Sequence, residues 1–196
     1  MLHSSNKGQS NQPGFSRRIG NRWTFALEFE IQADAPRLWN ESWGSLWLWV
    51  GGHLVGRPYE TEMVQIGLDS LNETAGENRA SASRILSTCS PSEALQAVMW
   101  ARYGGQDSVH VKASAVDDEA LFPLEVLPRR TGLFFDGWEA ILVDEGPIER
   151  FVYRRGETDA AEALWPAGTF RDVIGDARRE FETLARSIVT GTNRVS

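Results

Sequence analysis

The chain has 196 residues, the length of one ordinary domain, and its 41% hydrophobic and 24% charged residues are typical of a globular protein rather than a disordered or fibrous one. The net charge of −7 disfavours direct binding to nucleic acid, because an acidic body repels phosphate. Residues 1–22 carry a charge of +4, which leaves −11 on the rest of the chain and favours a basic protein partner.

Cysteine content and hydropathy indicate the compartment. The single cysteine, Cys89, excludes an internal disulfide framework and fits a reducing environment. No run approaches the ~18 apolar residues of a membrane span, and the N-terminus lacks the apolar core of a secretory signal. We therefore expect a cytoplasmic protein.

The first elements are a polar tail and a strand. Residues 1–21 are rich in Ser, Asn, Gln and Gly and predict a disordered tail that is polar and basic. A single domain is expected over residues 22–190, followed by a short tail at 191–196. From Trp23 to Gln32, apolar and polar side chains alternate, which predicts a strand with one buried face.

A hairpin and a helix are predicted next. Leu46 to Val50 and His53 to Val55 read as two strands joined by Gly51-Gly52, and the first strand, apolar on both faces, is expected to be central. Residues 60–73 carry apolar side chains at helical spacing, although a glycine interrupts them, and residues 74–83 read as a loop.

The strongest local signal is a helix start. Ser90 is a predicted N-cap, Pro91 takes the first helical position and Glu93 completes a capping box, with Gly104-Gly105 ending the helix. Residues 109–113 alternate and predict a strand.

The C-terminal third predicts a meander of two or three antiparallel strands between residues 133 and 153, then a long helix that Thr169 can cap. Together these elements predict an α+β fold: a mostly antiparallel sheet, made of N-terminal hairpin strands and the later meander, packed with two or three helices including a long C-terminal one.

The sequence offers no recognisable catalytic, metal or cofactor motif. His3, His53 and His110 show no paired-ligand spacing, and no P-loop, GxGxxG or GxSxG is present. Cys89 precedes a helix N-terminus, which lowers a thiol's pKa, but a small loop residue is the favoured interpretation.

Glu28 and Glu30 are the most tempting acid pair, because residues two apart on a strand share a face. Three interpretations remain open: a solvated outer face, an acidic patch that meets a basic partner, and the carboxylate pair of a small hydrolase. We prefer the partner patch to catalysis, because no cluster of His, Lys or Arg completes a mechanism. Trp39 and Trp43 precede the central strand and are candidates for partner contact as well.

The N-terminal half resembles a known family. The run from Phe25 to Ile31 (FALEFEI), then Trp43-Gly44 leading through an apolar strand to Gly51-Gly52 and Gly56, is similar to the bacterial immunity proteins numbered forty-two, of polymorphic toxin systems. FFDGWEAILV and the closing helix fit the family's later elements more loosely.

The resemblance implies a protein without chemistry of its own. Such a protein binds a cognate toxin domain in the producer's cytosol and protects against self or sibling intoxication, and the acidic body implies a basic toxin such as a nuclease. The alternatives are a small hydrolase that uses Glu28 and Glu30, and an unrelated protein-binding adaptor.

Overall fold

The computed structural model describes residues 14–32, 41–77, 79, 83–84, 86–104, 121–127 and 132–192. The predicted α+β class is confirmed, but the strands form two antiparallel sheets rather than one. The first sheet has the order β1-β2-β3-β4, with β5 also beside β3, and the second has the order β6-β7-β8. The elements are β1 (Phe15–Gly20), β2 (Phe25–Ile31), β3 (Trp43–Val50), β4 (His53–Gly56), β5 (Glu62–Met63), α1 (Val64–Ala75), α2 (Pro91–Tyr103), short 3-10 turns at Phe122–Leu124 and Gly132–Phe135, β6 (Trp138–Asp144), β7 (Ile148–Arg155), β8 (Ala161–Pro166) and α3 (Thr169–Thr192).

Strand β1 corrects the predicted tail at residues 1–21. All six residues of Phe15–Gly20 pair antiparallel with strand β2. The strand was missed because its side chains are mostly exposed, so it lacks an apolar alternation. Strand β1 is held by its backbone pairing with β2 and by the side chain of Ile19, which packs against the core. An ion pair of 3.2 Å between Arg17 and Glu180 also connects it to α3. Residues 1–13 lie outside the described residues.

Strands β2 and β3 confirm the alternation and the hairpin. Phe25, Leu27, Phe29 and Ile31 of β2 are fully covered, and β3 lies inside the sheet with partners on both sides. Gly51 and Gly52 make the turn to β4 with φ angles of 57° and 85°, a region that glycine enters without a Cβ clash.

Helix α1 confirms the predicted helical segment and explains its glycine. A Cβ on Gly67 would stand 2.7 Å from Leu46 Cδ2 and 3.0 Å from the Phe134 ring. The missing side chain therefore lets the helix lie directly on β3 and the 3-10 turn before β6.

Helix α2 begins as predicted. Glu93 donates its backbone N–H to Ser90 Oγ over 3.4 Å, and its carboxylate accepts from the Ser90 backbone N–H over 2.9 Å. The helix ends at Gly104, with φ 67°. The predicted strand at 109–113 lies outside the described residues.

The second sheet confirms two strands of the predicted meander, which are β6 and β7. The segment at 133–135 that leads into them is a 3-10 turn and not a strand, and the third strand of the sheet, β8, lies beyond the predicted meander. One hydrophobic cluster joins α1 and α3 to both sheets, through β2, β3, β6 and β7. A second cluster packs α2 on the opposite face of the second sheet, where Leu95 and Val98 share a core with Ile141, Val143 and Val152.

Helix α3 is capped from a neighbouring strand and not by Thr169 as predicted. Thr169 donates its hydroxyl to the Pro166 carbonyl over 2.6 Å. The buried carboxylate of Glu149, on β7, accepts the backbone N–H groups of Gly168 (2.8 Å) and Phe170 (3.0 Å). A carboxylate at the N-terminus of a helix accepts hydrogen bonds from the free N–H groups, and its negative charge is attracted to the positive end of the helix dipole.

Candidate functional site

Glu28 and Glu30 lie on the same face of β2, as predicted, but the Glu28 carboxylate is occupied by hydrogen bonds to neighbouring strands. Its carboxylate accepts the Arg18 Nε–H over 2.9 Å and the Trp49 Nε1–H over 2.8 Å. Only 13% of the Glu28 side chain is exposed. The carboxylate therefore connects β1, β2 and β3. Glu30 is half-buried and faces serines on both neighbouring strands.

Trp43 is the first residue of β3, and about half of its surface (51%) is exposed. It pairs with Met63 of β5, and the adjacent Glu62 carboxylate accepts the Leu133 backbone N–H over 2.8 Å. Leu133 is also exposed. We call Trp43, Met63 and Leu133 the Trp43 patch. Trp39 lies outside the described residues.

A groove of about 600 Å³ has α1 on one side and, on the other, Arg102 of α2 together with the 3-10 turn at Phe122–Leu124 and Glu125. Its lining combines apolar and acidic side chains. Ile66, Phe122 and Pro123 supply the apolar surface. The charged lining consists of four carboxylates and one guanidinium: Asp69, Glu73, Glu77, Glu125 and Arg102. We call this the acidic groove.

Two of the groove's carboxylates are paired within the protein. Glu125 is buried, lies 3.3 Å from Arg102 Nε, and accepts the Tyr103 hydroxyl over 2.6 Å. Asp69 pairs with Arg178 of α3 over 3.2 Å. These contacts hold the two walls in place.

Glu73 and Glu77 remain exposed and form no ion pair within the described part of the chain. Glu73 lies in the last turn of α1, and Glu77 lies two residues past the end of the helix, whose last turn carries no basic residue. The two like charges repel, and negative charge at a helix C-terminus opposes the helix dipole. The Arg79 guanidinium, which donates to the Thr74 and Glu77 carbonyls, offsets part of this repulsion. Burial lowers the pKa of Arg79, and its acidic neighbours act in the opposite direction.

The groove is not predicted as a site from the sequence, because its walls come from segments far apart in the chain. The one usable signal was the acidic spacing of Glu73 and Glu77 at the end of a predicted helix. Among the described residues, no three His, Cys, Asp or Glu side chains converge as metal ligands do. Within the same residues, no helix combines the length and the apolar character needed to span a bilayer. Cys89 is half-buried just before the Ser90 cap.

Among its described residues, the α+β scaffold exposes aromatic and acidic side chains, which are the kinds of side chain that protein-binding surfaces use. The family model of immunity protein 42 matches residues 18–180, most of the chain, and the protein belongs to that family. It is therefore an immunity protein that binds and neutralises a toxin, as the resemblance predicted.

A solved structure agrees on the fold. The crystal structure of CdiI from Burkholderia dolosa AUO158 is similar over 84% of this chain and 99% of its own, with a TM-score of 0.59 and 20% sequence identity. No curated protein matches the sequence significantly. These comparisons give no support to the hydrolase alternative.

Proposed function

We propose that the protein neutralises its toxin by forming a stoichiometric complex in the cytoplasm, with no covalent bond made or broken. The observation that supports this most is that an immunity-protein fold exposes a tryptophan near the start of α1 and unpaired carboxylates near its end. Aromatic side chains bury a large area at low entropic cost, and charge complementarity speeds association and selects the partner.

The partner we propose is a basic toxin domain, such as a nuclease, delivered by sibling cells in contact-dependent competition. The net charge of −7 provides an attractive field toward a cationic surface. Tight neutralisation requires an interface of about 1,600 Å² with a few well-packed anchors. Trp43, one of several exposed aromatic side chains, is the proposed anchor, and Glu30 and Trp39 are further proposed contacts. Glu28 acts on this surface chiefly by holding Arg18 and Trp49 in place.

Co-expression with a catalytically inactivated toxin domain, encoded by the gene immediately upstream, tests the proposal. We expect the two proteins to co-elute from a sizing column as one complex at micromolar concentration. Trp43→Ala should raise the dissociation constant by about tenfold or more if Trp43 is an anchor. Separate elution of the wild-type immunity protein and the inactivated toxin domain would refute the proposed function.

A further inference from the structure

From the arrangement of the acidic groove, we infer that it is the docking site for a basic segment of the toxin, whose Lys or Arg side chains reach Glu73 and Glu77. This inference rests on the proposed function, because it names the part of the partner that one surface receives. The groove volume of about 600 Å³ is large enough for several side chains of a partner segment.

The chemistry of the groove selects a segment that is both basic and partly apolar. Ile66 is about half exposed at one wall, and Phe122 and Pro123 line the other. Burial of this surface by apolar groups of the partner, including the aliphatic stems of Lys and Arg, stabilises the complex by removing apolar area from water. The charged heads then meet the carboxylates at the end of α1.

The position of these carboxylates argues for a partner and not for a contribution to folding. Negative charge in the last turn of α1 and just beyond it is unfavourable to the helix, and repulsion at the i, i+4 spacing adds to the cost. Asp69 and Glu125 form ion pairs within the protein, whereas Glu73 forms none among the described residues and Glu77 has only the nearby Arg79 guanidinium to offset its charge. A cationic segment in the groove would remove the repulsion that the isolated protein retains.

The groove also lies close to the Trp43 patch. Met63, which pairs with Trp43, is the residue immediately before α1, and Ile66 follows one turn later on that helix. One partner surface can therefore contact the tryptophan and the groove together, which is what an interface of ordinary size requires.

A charge-reversal experiment separates this inference from the proposed function. The double variant Glu73→Lys/Glu77→Lys is compared with the control Glu157→Lys/Asp159→Lys, which makes the same charge change at exposed residues of the β7–β8 turn. Binding of the inactivated toxin domain encoded upstream is measured by surface plasmon resonance at about 50 and 300 mM salt, a range over which screening of exposed charges increases strongly.

We expect the groove variant to associate at least tenfold more slowly than the control at low salt, with the difference shrinking at high salt. Its thermal unfolding midpoint should stay close to that of the wild type, because the favourable positive charge at the helix C-terminus is offset by the loss of Glu77 beside the Arg79 guanidinium. Weaker binding in a protein of similar stability is the signature of a docking site.

Other outcomes overturn one claim or the other. Equal binding by the groove variant and the control, with the wild type binding normally, would show that the groove is not the docking site. Absence of binding by the wild type would refute the proposed function itself. A change of oligomeric state in the groove variant alone would mean that a second copy of the chain, and not the toxin, occupies the groove.

Discussion

Replacing Glu149 by alanine removes the acceptor on which three donors converge. The carboxylate accepts the Trp165 Nε1–H over 2.7 Å and the backbone N–H groups of Gly168 and Phe170 over 2.8 and 3.0 Å. Each buried donor left without a partner costs about 1–3 kcal/mol, and water entering the space left by the side chain offsets part of the sum. We expect the free energy of unfolding to fall by about 4 kcal/mol, near the upper limit for a single substitution.

Glu149→Gln refines this prediction. The amide keeps one oxygen acceptor but turns an NH₂ group toward donors, so we expect a loss of about 2 kcal/mol. Urea denaturation followed by tryptophan fluorescence measures both variants, with the exposed Glu157→Ala as a control expected to stay within about 0.5 kcal/mol of the wild type. If Glu149→Ala behaves like this control, the strand-to-helix cap does not stabilise the fold as argued.

Three further predictions concern stability and the acid pair. Gly67→Ala should lower the free energy of unfolding by about 1–3 kcal/mol through overpacking. The control Gly175→Ala should raise it by about 0.5–1 kcal/mol, because the new Cβ would meet only a flexible arginine side chain at 3.6 Å. Equal effects of the two substitutions in urea denaturation would contradict the packing argument. Burial raises the pKa of Tyr153 above its ordinary value of about 10, so the phenol ionises first in the unfolded chain. The free energy of unfolding should therefore fall as the pH rises above about 10. Tyr153→Phe should make this fall less steep, and an unchanged slope of unfolding free energy against pH would contradict the prediction. Glu28→Gln should lower the free energy of unfolding by about 1–2 kcal/mol, because it weakens the acceptor for Arg18 and Trp49, and Glu30→Gln should lower it by less than about 0.5 kcal/mol. Both variants should still bind the toxin, Glu30→Gln with at most a reduced affinity, and equal destabilisation by the two substitutions in urea denaturation would contradict the role given to Glu28.

The elements that the sequence predicted well are those whose causes are local. The alternation in β2 and the capping box at Ser90 each depend on residues within a few positions of one another. The two-glycine turn between β3 and β4 is equally local, because it needs only residues that accept positive φ.

The features that escaped prediction depend on contacts between distant segments. Strand β1 forms because β2 offers it a free edge, and its own side chains carry no pattern. Glu149 caps a helix that starts on the far side of strand β8, so nothing near Thr169 could indicate it. The same holds for Glu28, whose partner Trp49 lies on another strand, and for the acidic groove.

A titration of toxin activity against added immunity protein tests the central claim most directly. With active toxin at a concentration well above the dissociation constant, binding predicts that activity falls linearly and reaches zero at one equivalent of the immunity protein, and that it returns after the complex is denatured and the toxin refolded alone. Complete and lasting inactivation of the toxin by a small fraction of an equivalent would show that this protein acts catalytically, and would contradict the account.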